Sequence, residues 1–315
     1  MKTDKNLIAI GRSRYLYNGI EHLVNIGYRF KAIITEEAYE EYDIKTQDFK
    51  ELADRINASF FVTKVLINDS LIDLIKVHNV NLAISANWKF TIPEAFLNLF
   101  QGGILNFHLG NLPNYKGNAT VNWSIINGEE SIYANIHKMD PMLDAGDIIS
   151  RREIPITSFT YISDIINEAE RIAPLLYEEA VEKIFVNPRA FEIAGTAQGT
   201  RCYPRLPEDS QINWNQNADE ISRLIRASSH PYKGAYTFFN KEKVTIWKAK
   251  PYNIQNDFCA IPGHVVELKK RSGNIMVACK DSILEIEKIE YNRQMMPAGA
   301  LVKSIRQRFK YRSDV

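Results

Sequence analysis

Cysteine is scarce in this chain. Cys202, Cys259 and Cys279 are the whole complement of 315 residues, and no two stand at C-x-x-C spacing. A disulfide framework and a paired-cysteine zinc site are therefore not expected, and the usage suits a reducing compartment. Glycine never falls into G-x-G-x-x-G, so the fingerprint of a dinucleotide-binding turn is missing and an NAD enzyme is disfavoured. Long apolar runs are lacking too: the amino terminus offers only Leu7 to Ile10, too short for a signal peptide or a membrane span. Ser13 and Ser124 have no nucleophile elbow or neighbouring base, which leaves a serine hydrolase without support. His22, His78, His230 and His264 have no carboxylate or cysteine partner at ligand spacing, so no metal is expected. Charge of one sign is absent as well, with 39 Lys+Arg against 38 Asp+Glu and a net charge of +1. The expectation is a soluble, cytoplasmic protein with no membrane partner.

What is present is an ordinary globular composition, 45% hydrophobic, in a chain long enough for two domains. Residues 6–11 read as a buried first strand. Leu16, Ile20, Leu23 and Val24 give helical spacing, and residues 28–35 give a second strand, so the chain opens on a βαβ unit and a parallel sheet. The same alternation continues with a helix at 46–57, a strand at 60–64, a helix at 70–78, a strand at 81–85 and a helix at 94–100. After strands near 104–108, 133–138 and 148–156, a long amphipathic helix runs from Ser163 to about Asn187. Residues 194–210 read as a linker by composition, rich in Gly, Pro, Arg and acids. Short β-type runs at 235–240, 244–248, 263–269, 275–279 and 283–289 then suggest a small all-β barrel. The predicted fold class is α/β, a Rossmann-like and mostly parallel sheet with helices on both faces, followed by a small OB-like β-barrel. The predicted domains are 1–207, with the linker from about 194, and 208–315.

The chemistry concentrates between Ile104 and Asp147. Asn106 and His108 alternate at the end of an apolar strand, so they share a face, and the loop Gly110 to Gly117 follows at once. Asp144 lies in the turn Leu143-Asp144-Ala145-Gly146-Asp147 after the strand at 133–138. An amide donor, an imidazole and a carboxylate are the parts that acyl transfer needs: one to hold an oxyanion, one poised near neutral pH, one to relay a proton. His137 reads either as a supporting group for this set or as a core or edge histidine. Arg12, Arg14 and Lys116 fall at carboxyl ends of predicted strands, where they either grip a diphosphate or are simply solvated.

The pattern N-x-H, then L-P-x-Y-x-G, then N-G, then M-D-x-x-x-D-x-G-D resembles the folate-dependent formyltransferases, among them the methionyl-tRNA, glycinamide ribonucleotide and sugar-nucleotide enzymes. The likeness extends to HPYKGAYTFFNKEKVTIWKA, which is similar to the carboxy-terminal domain of the longer members. Where that family often has Ser-Leu-Leu-Pro this chain has Gly110-Asn111-Leu112-Pro113, and where it often has Arg before the loop glycine this chain has Lys116. The resemblance implies N10-formyltetrahydrofolate as co-substrate and no metal. It implies Asn106, His108 and Asp144 as catalytic residues, without saying whether His108 or Asp144 is the base. It places the folate against Trp88, Lys89, Phe90, Ile104, Met139, Asp140, Met142 and Leu143, although Trp88 and Phe90 would equally serve to pack their loop. It places the acceptor near Lys116, Asn118 and Asn122, with Arg12, Ser13 and Arg14 beside the diphosphate.

The acceptor is read from the charge map. Residues 36–54 hold eight acids against two lysines, the reverse of what tRNA phosphates require. Against this, residues 208–315 carry 18 Lys+Arg and 12 Asp+Glu, densest in Lys303 to Arg312. The expected acceptor is thus a nucleoside-diphosphate-linked amino-deoxysugar for a bacterial surface polysaccharide such as O-antigen. Methionyl-tRNA is the alternative, and a glycinamide ribonucleotide enzyme, which would lack the second domain, ranks third. A catalytically silent binding module is disfavoured by the intact Asn106, His108 and Asp144. A homodimer contact would come from an exposed β edge or from the tail containing Phe309.

Overall fold

The computed structural model describes residues 5–37, 43–252 and 259–311. Part of the acidic stretch 36–54, and Arg312 of the basic run, therefore lie outside the described residues. The chain divides into two compact units, one of Met1–Thr120, Ser131–Pro155 and Ile166–Cys202, the other of Val121–Glu130, Ile156–Ile165 and Tyr203–Val315.

The first unit is built on a seven-stranded sheet. In chain order the elements as far as Cys202 are β1 (Asn6–Gly11), α1 (Arg14–Asn25), β2 (Arg29–Thr35), α2 (Thr46–Arg55), β3 (Ser59–Val62), α3 (Asp69–Val77), β4 (Leu82–Ala86), α4 (Glu94–Leu97), β5 (Gly103–Leu109), the two-residue β6 (Lys116–Gly117), α5 (Thr120–Asn127), which apart from Thr120 falls in the second unit, β7 (Ser131–Lys138), β8 (Ile148–Pro155), α6 (Ile162–Val186), whose first turn also falls there, and the two-residue β9 (Arg201–Cys202). The sheet order is β3-β2-β1-β4-β5-β7-β8. Neighbours from β3 to β5 are parallel, whereas β5/β7 and β7/β8 are antiparallel. Strand order reverses between β1 and β4, so the carboxyl ends of those strands open a crevice of the kind in which α/β sheets bind ligands.

Burial explains why these residues make these strands. β1, β4 and β5 are buried at every position, which is why they read as continuous apolar runs rather than alternations. α1 turns Leu16, Gly19, Ile20 and Leu23 inward. Gly19 is required there because a Cβ would lie 2.5 Å from the Tyr177 ring. α6 holds Pro174 inside it, where the missing N–H costs one helical hydrogen bond. The helix continues because its buried face, including Ala173, Leu176, Tyr177 and Val181, is packed, and Tyr177 Oη donates to Ser85 O at 2.6 Å. α4 is shorter than its periodicity predicts. Past Leu97 the chain tightens into i→i+3 bonds, from Leu99 N to Phe96 O (3.2 Å) and from Phe100 N to Leu97 O (3.2 Å), and runs into β5.

The stretch expected to be a linker from about 194 is instead tied to the first unit as far as Cys202. Ile193 bridges Ile148, Gly195 N donates to Asp147 Oδ1 (2.7 Å), and β9 pairs in parallel with β6. Its glycines mark close packing rather than looseness: a Cβ on Gly195 would meet Ala145 O at 2.2 Å.

In the second unit a 3₁₀ turn (Pro207–Ser210) and α7 (Ala218–Ser228) precede β10 (Ala235–Phe239), β11 (Glu242–Tyr252), β12 (Val265–Lys269), β13 (Asn274–Ala278), β14 (Ile283–Tyr291), β15 (Gln294–Pro297) and α8 (Ala298–Leu301). The sheet is antiparallel, in the order β10-β11-β14-β13-β12, with β15 also on β14. The tail joins its two ends, since Lys310 bridges Phe238 of β10 and Arg308 bridges His264 beside β12. Phe309 between them is 1% exposed and packs with Trp214 and Phe239 in the core, so it is no exposed dimer contact. Val121–Glu130 and Ile156–Ile165 belong to this unit, and hydrogen bonds that tie them to it include Asn122 Nδ2 to Ala227 O (2.8 Å), Arg223 Nε to Ile126 O (3.0 Å) and Arg226 Nη1 to Thr160 O (2.8 Å) and Thr157 O (3.2 Å). Among the described residues no helix is long and apolar enough to cross a membrane.

Candidate active site

The antiparallel register of β5 and β7 sets Asn106 opposite His137 and His108 opposite Asn135. Residues directly opposite in such a pair share a face. Four polar side chains thus meet on two neighbouring strands, each less than a tenth exposed. Asn106 Nδ2 lies 3.0 Å from His137 Nε2, and His137 Nδ1 lies 3.2 Å from Lys138 O. A carbonyl only accepts, so Nδ1 carries the proton and Nε2 accepts from the Asn106 amide. Burial pushes the His137 pKa down to about 4, which keeps the ring neutral and suited to this role.

Asp144 comes from the loop between β7 and β8. Lys138 N donates to Asp147 O (2.8 Å) and Met139 N to Ile104 O (2.7 Å), closing the loop at its base. Gly146 allows this closure, because a Cβ there would sit 1.8 Å from Lys138 O. Asp144 adopts the left-handed region at φ 45°. Its carboxylate approaches His108 Nδ1 at 3.6 Å and His137 Nε2 at 3.6 Å, and accepts from Gly117 N at 2.8 Å. With His137 neutral, the second approach is not an ion pair. Burial alone would raise the Asp144 pKa, but His108, His137, the Gly117 N–H and Lys116 together outweigh it and hold the group below the ordinary carboxylate value. Asp144 is therefore an anion at neutral pH.

His108 is oriented from its other side. Nε2 donates to Tyr115 O at 2.9 Å, so in the neutral ring Nδ1 carries the lone pair, on the side facing Asp144. Gly110 makes this contact fit, because a Cβ at that position would lie 2.6 Å from both His108 Nε2 and Tyr115 O. The backbone of the turn is held by Asn135, whose amide donates to His108 O (3.1 Å) and Gly110 O (2.8 Å).

These groups line a cavity of about 450 Å³. One part of its wall is apolar, with Trp88 and Phe90 in edge contact (5.7 Å, 70°) beside Ile92, Leu97, Met139 and Leu143. Of the residues expected from sequence, Asn106, His108, Asp144, Trp88, Lys89, Phe90, Met139, Asp140, Met142, Leu143, Arg12 and Asn118 line it. Five others do not. Ile104 is core, contributing only its carbonyl to the Met139 N–H. Ser13 is buried at the start of α1, and Arg14 pairs with Asp43 at 2.5 Å. The buried Lys116 ammonium donates to Thr196 O at 2.5 Å, and Asn122 belongs to the second unit. The lining residues outside that expected set include His137 and Arg201. The alternation of Asn135 and His137 in an otherwise apolar strand was a usable signal for the first; nothing local marks the second. Among the described residues no group of three or more His, Cys, Asp or Glu is placed to hold a metal ion.

Two family profiles match the chain: "Formyl transferase" over residues 26–181 and "Formyl transferase, C-terminal domain" over residues 206–306. The bifunctional polymyxin resistance protein ArnA of Wigglesworthia glossinidia brevipalpis is 27% identical over 279 residues, which is 87% of this chain but only 41% of that protein. The methionyl-tRNA formyltransferase of Alkaliphilus oremlandii is 26% identical over 290 residues, covering 91% of this chain and 92% of that one. Among solved structures, an N-formyltransferase from Helicobacter canadensis, in complex with folinic acid and dTDP-3-aminofucose, has the same fold at a TM-score of 0.66 and 19% identity, covering 90% of this chain and 98% of that one.

Proposed function

The chain belongs to the formyl transferase family, and we propose that it moves the formyl group of N10-formyltetrahydrofolate onto the amine of a nucleoside-diphosphate-linked amino-deoxysugar, in the cytoplasm, for a surface polysaccharide. The observation that carries this reading is the convergence of Asn106, His108 and Asp144 on one cavity whose other wall is aromatic and apolar. A flat heterocycle with polar edges suits that wall, and the volume of about 450 Å³ is in the range of small-molecule sites.

The chemistry follows from the hydrogen bonds. An attacking amine forms a new C–N bond to the formyl carbon as the carbonyl electron pair moves onto oxygen. Asn106, its amide oriented by His137, offers an N–H to that oxygen. The amine must also lose a proton. His108 takes it on Nδ1, since Nε2 is already committed to Tyr115 O, and the Asp144 anion stabilises the resulting imidazolium. Asp144 itself, held below the ordinary carboxylate range, is a weak base and a strong electrostatic partner. The imidazolium then returns the proton to N10 as the old C–N bond breaks, which balances the transfer.

The acid-rich stretch that follows β2 disfavours tRNA phosphates, which puts the nucleotide-linked acceptor ahead of methionyl-tRNA. A panel of dTDP- and UDP-linked 3-amino and 4-amino dideoxysugars, run beside initiator methionyl-tRNA with the same formyl donor, tests the reading. Turnover of a sugar nucleotide and not of the tRNA is expected. Turnover of the tRNA alone would overturn the acceptor assignment and make the basic tail the better guide.

A further inference from the structure

We propose that Lys116 is a positioning residue for formyl transfer: its buried ammonium ties the segment 194–202 across the two loops that set the approach of Asp144 to His108. This rests on the roles proposed above for His108 and Asp144, and not on which acceptor is formylated.

At 3.6 Å, Asp144 and His108 are too far apart for a hydrogen bond, so their separation is set by the backbones that carry them. Those backbones belong to different loops. The loop after β5 supplies Tyr115 O to His108 Nε2 (2.9 Å) and ends at Gly117, whose N–H holds the Asp144 carboxylate (2.8 Å). The loop between β7 and β8 supplies Asp144 itself.

The segment 194–202 is bound to both. On the first loop, Lys116 N donates to Thr200 O (3.0 Å), Thr200 N donates to Asn114 Oδ1 (3.2 Å), and β9 lies in register with β6. Gly199 packs so closely there that a Cβ would collide with Pro113 O. On the second loop, Gly195 N donates to Asp147 Oδ1 (2.7 Å). Lys116 joins the two sets of contacts with a side chain. Its backbone belongs to the first loop, while its Nζ donates to Thr196 O at 2.5 Å, one residue from the Gly195 anchor.

The charge matters as well as the reach. Lys116 is 5% exposed, and a bond to a neutral carbonyl does not by itself offset the burial of an ammonium. Asp144 is the anion on which it acts. Against the burial that would raise its pKa, the Asp144 carboxylate is kept ionised by His108, His137, the Gly117 N–H and Lys116. One side chain thus holds the loops together and favours the charged form of the group they present.

The test compares the wild type with Lys116→Met, which keeps the length of the side chain without its charge or donors, and Lys116→Arg, which keeps the charge. Asp147→Ala cuts the segment at its other anchor and serves as the second probe should Lys116→Met not fold. Amide hydrogen exchange is measured on each, and transfer kinetics are run on whichever acceptor the wild type formylates among the sugar nucleotides and methionyl-tRNA. In Lys116→Met and in Asp147→Ala the Gly117 and Thr200 amides should exchange at least about 10-fold faster, while the amides of β1 and β4 keep their protection. For both variants kcat should fall by about 10- to 100-fold, the scale of a misplacement of about 1 Å, with donor KM within about twofold of the wild type. Lys116→Arg should recover part of both effects. Wild-type exchange and kcat in Lys116→Met would overturn the assignment while leaving the roles of His108 and Asp144 in place. Faster exchange with unchanged kcat would reduce Lys116 to a structural tie and overturn it equally. A wild type that formylates no acceptor would overturn this role together with the reaction it serves.

Discussion

His137 and Asp144 face each other across 3.6 Å, and both have depressed pKa values, with different consequences. Asp144 is ionised and held so by its neighbours. It stabilises the fold above the ordinary carboxylate value of 3.8, and that contribution is lost as pH falls through its lowered pKa. His137 is neutral because it is buried. Between its unfolded value of 6.5 and its folded value of about 4, the unfolded chain binds a proton that the folded chain does not, so stability falls with pH across that window. Above 6.5 both states are neutral and the residue contributes no pH dependence. Urea unfolding at pH 7 and pH 4.5 should therefore show the wild type losing about 2 kcal/mol more than His137→Gln, in which that titration is removed. Equal losses would mean that His137 is already protonated, or already open to water, in the folded protein. The residue was ambiguous in sequence because its role is set by cross-strand register, which the period of a single strand does not specify.

The loop after β5 carries the second constraint. It must bring the Tyr115 carbonyl back onto His108, and Gly110 leaves the room for it. Gly110→Ser, which installs the residue that related loops often have there, should push the imidazole off Tyr115. A displacement on the order of 1 Å costs about 100-fold in rate, so kcat should fall by that order while donor KM stays put. A fully active Gly110→Ser enzyme would show that the tautomer is fixed by something other than Tyr115. Elements with strong periodicity were legible in advance, β1, α1, β4 and α6 among them, because burial on one or both faces writes itself into spacing. β9 was not: two residues of ladder leave no pattern, and the glycines around them read as a linker although they mark tight approach. Arg201 was missed for that reason.

At the scale of the whole molecule, an α/β unit with a mostly parallel sheet and an antiparallel β unit were both readable from alternation and turn spacing. The closing of the second sheet by its own tail was not, since isolated bridges at Arg308 and Lys310 look like any basic terminus. Asn106, His108 and Asp144 were readable because two share a strand face and the third sits in a glycine-bearing turn. The central claim is that these groups transfer a formyl group, with His108 carrying the proton. Its most direct test is formyl transfer by His108→Asn, with donor binding followed separately by fluorescence titration. The account predicts a rate at least about 100-fold lower, the scale of a lost general base, with donor affinity nearly unchanged. Turnover equal to that of the wild type would contradict it.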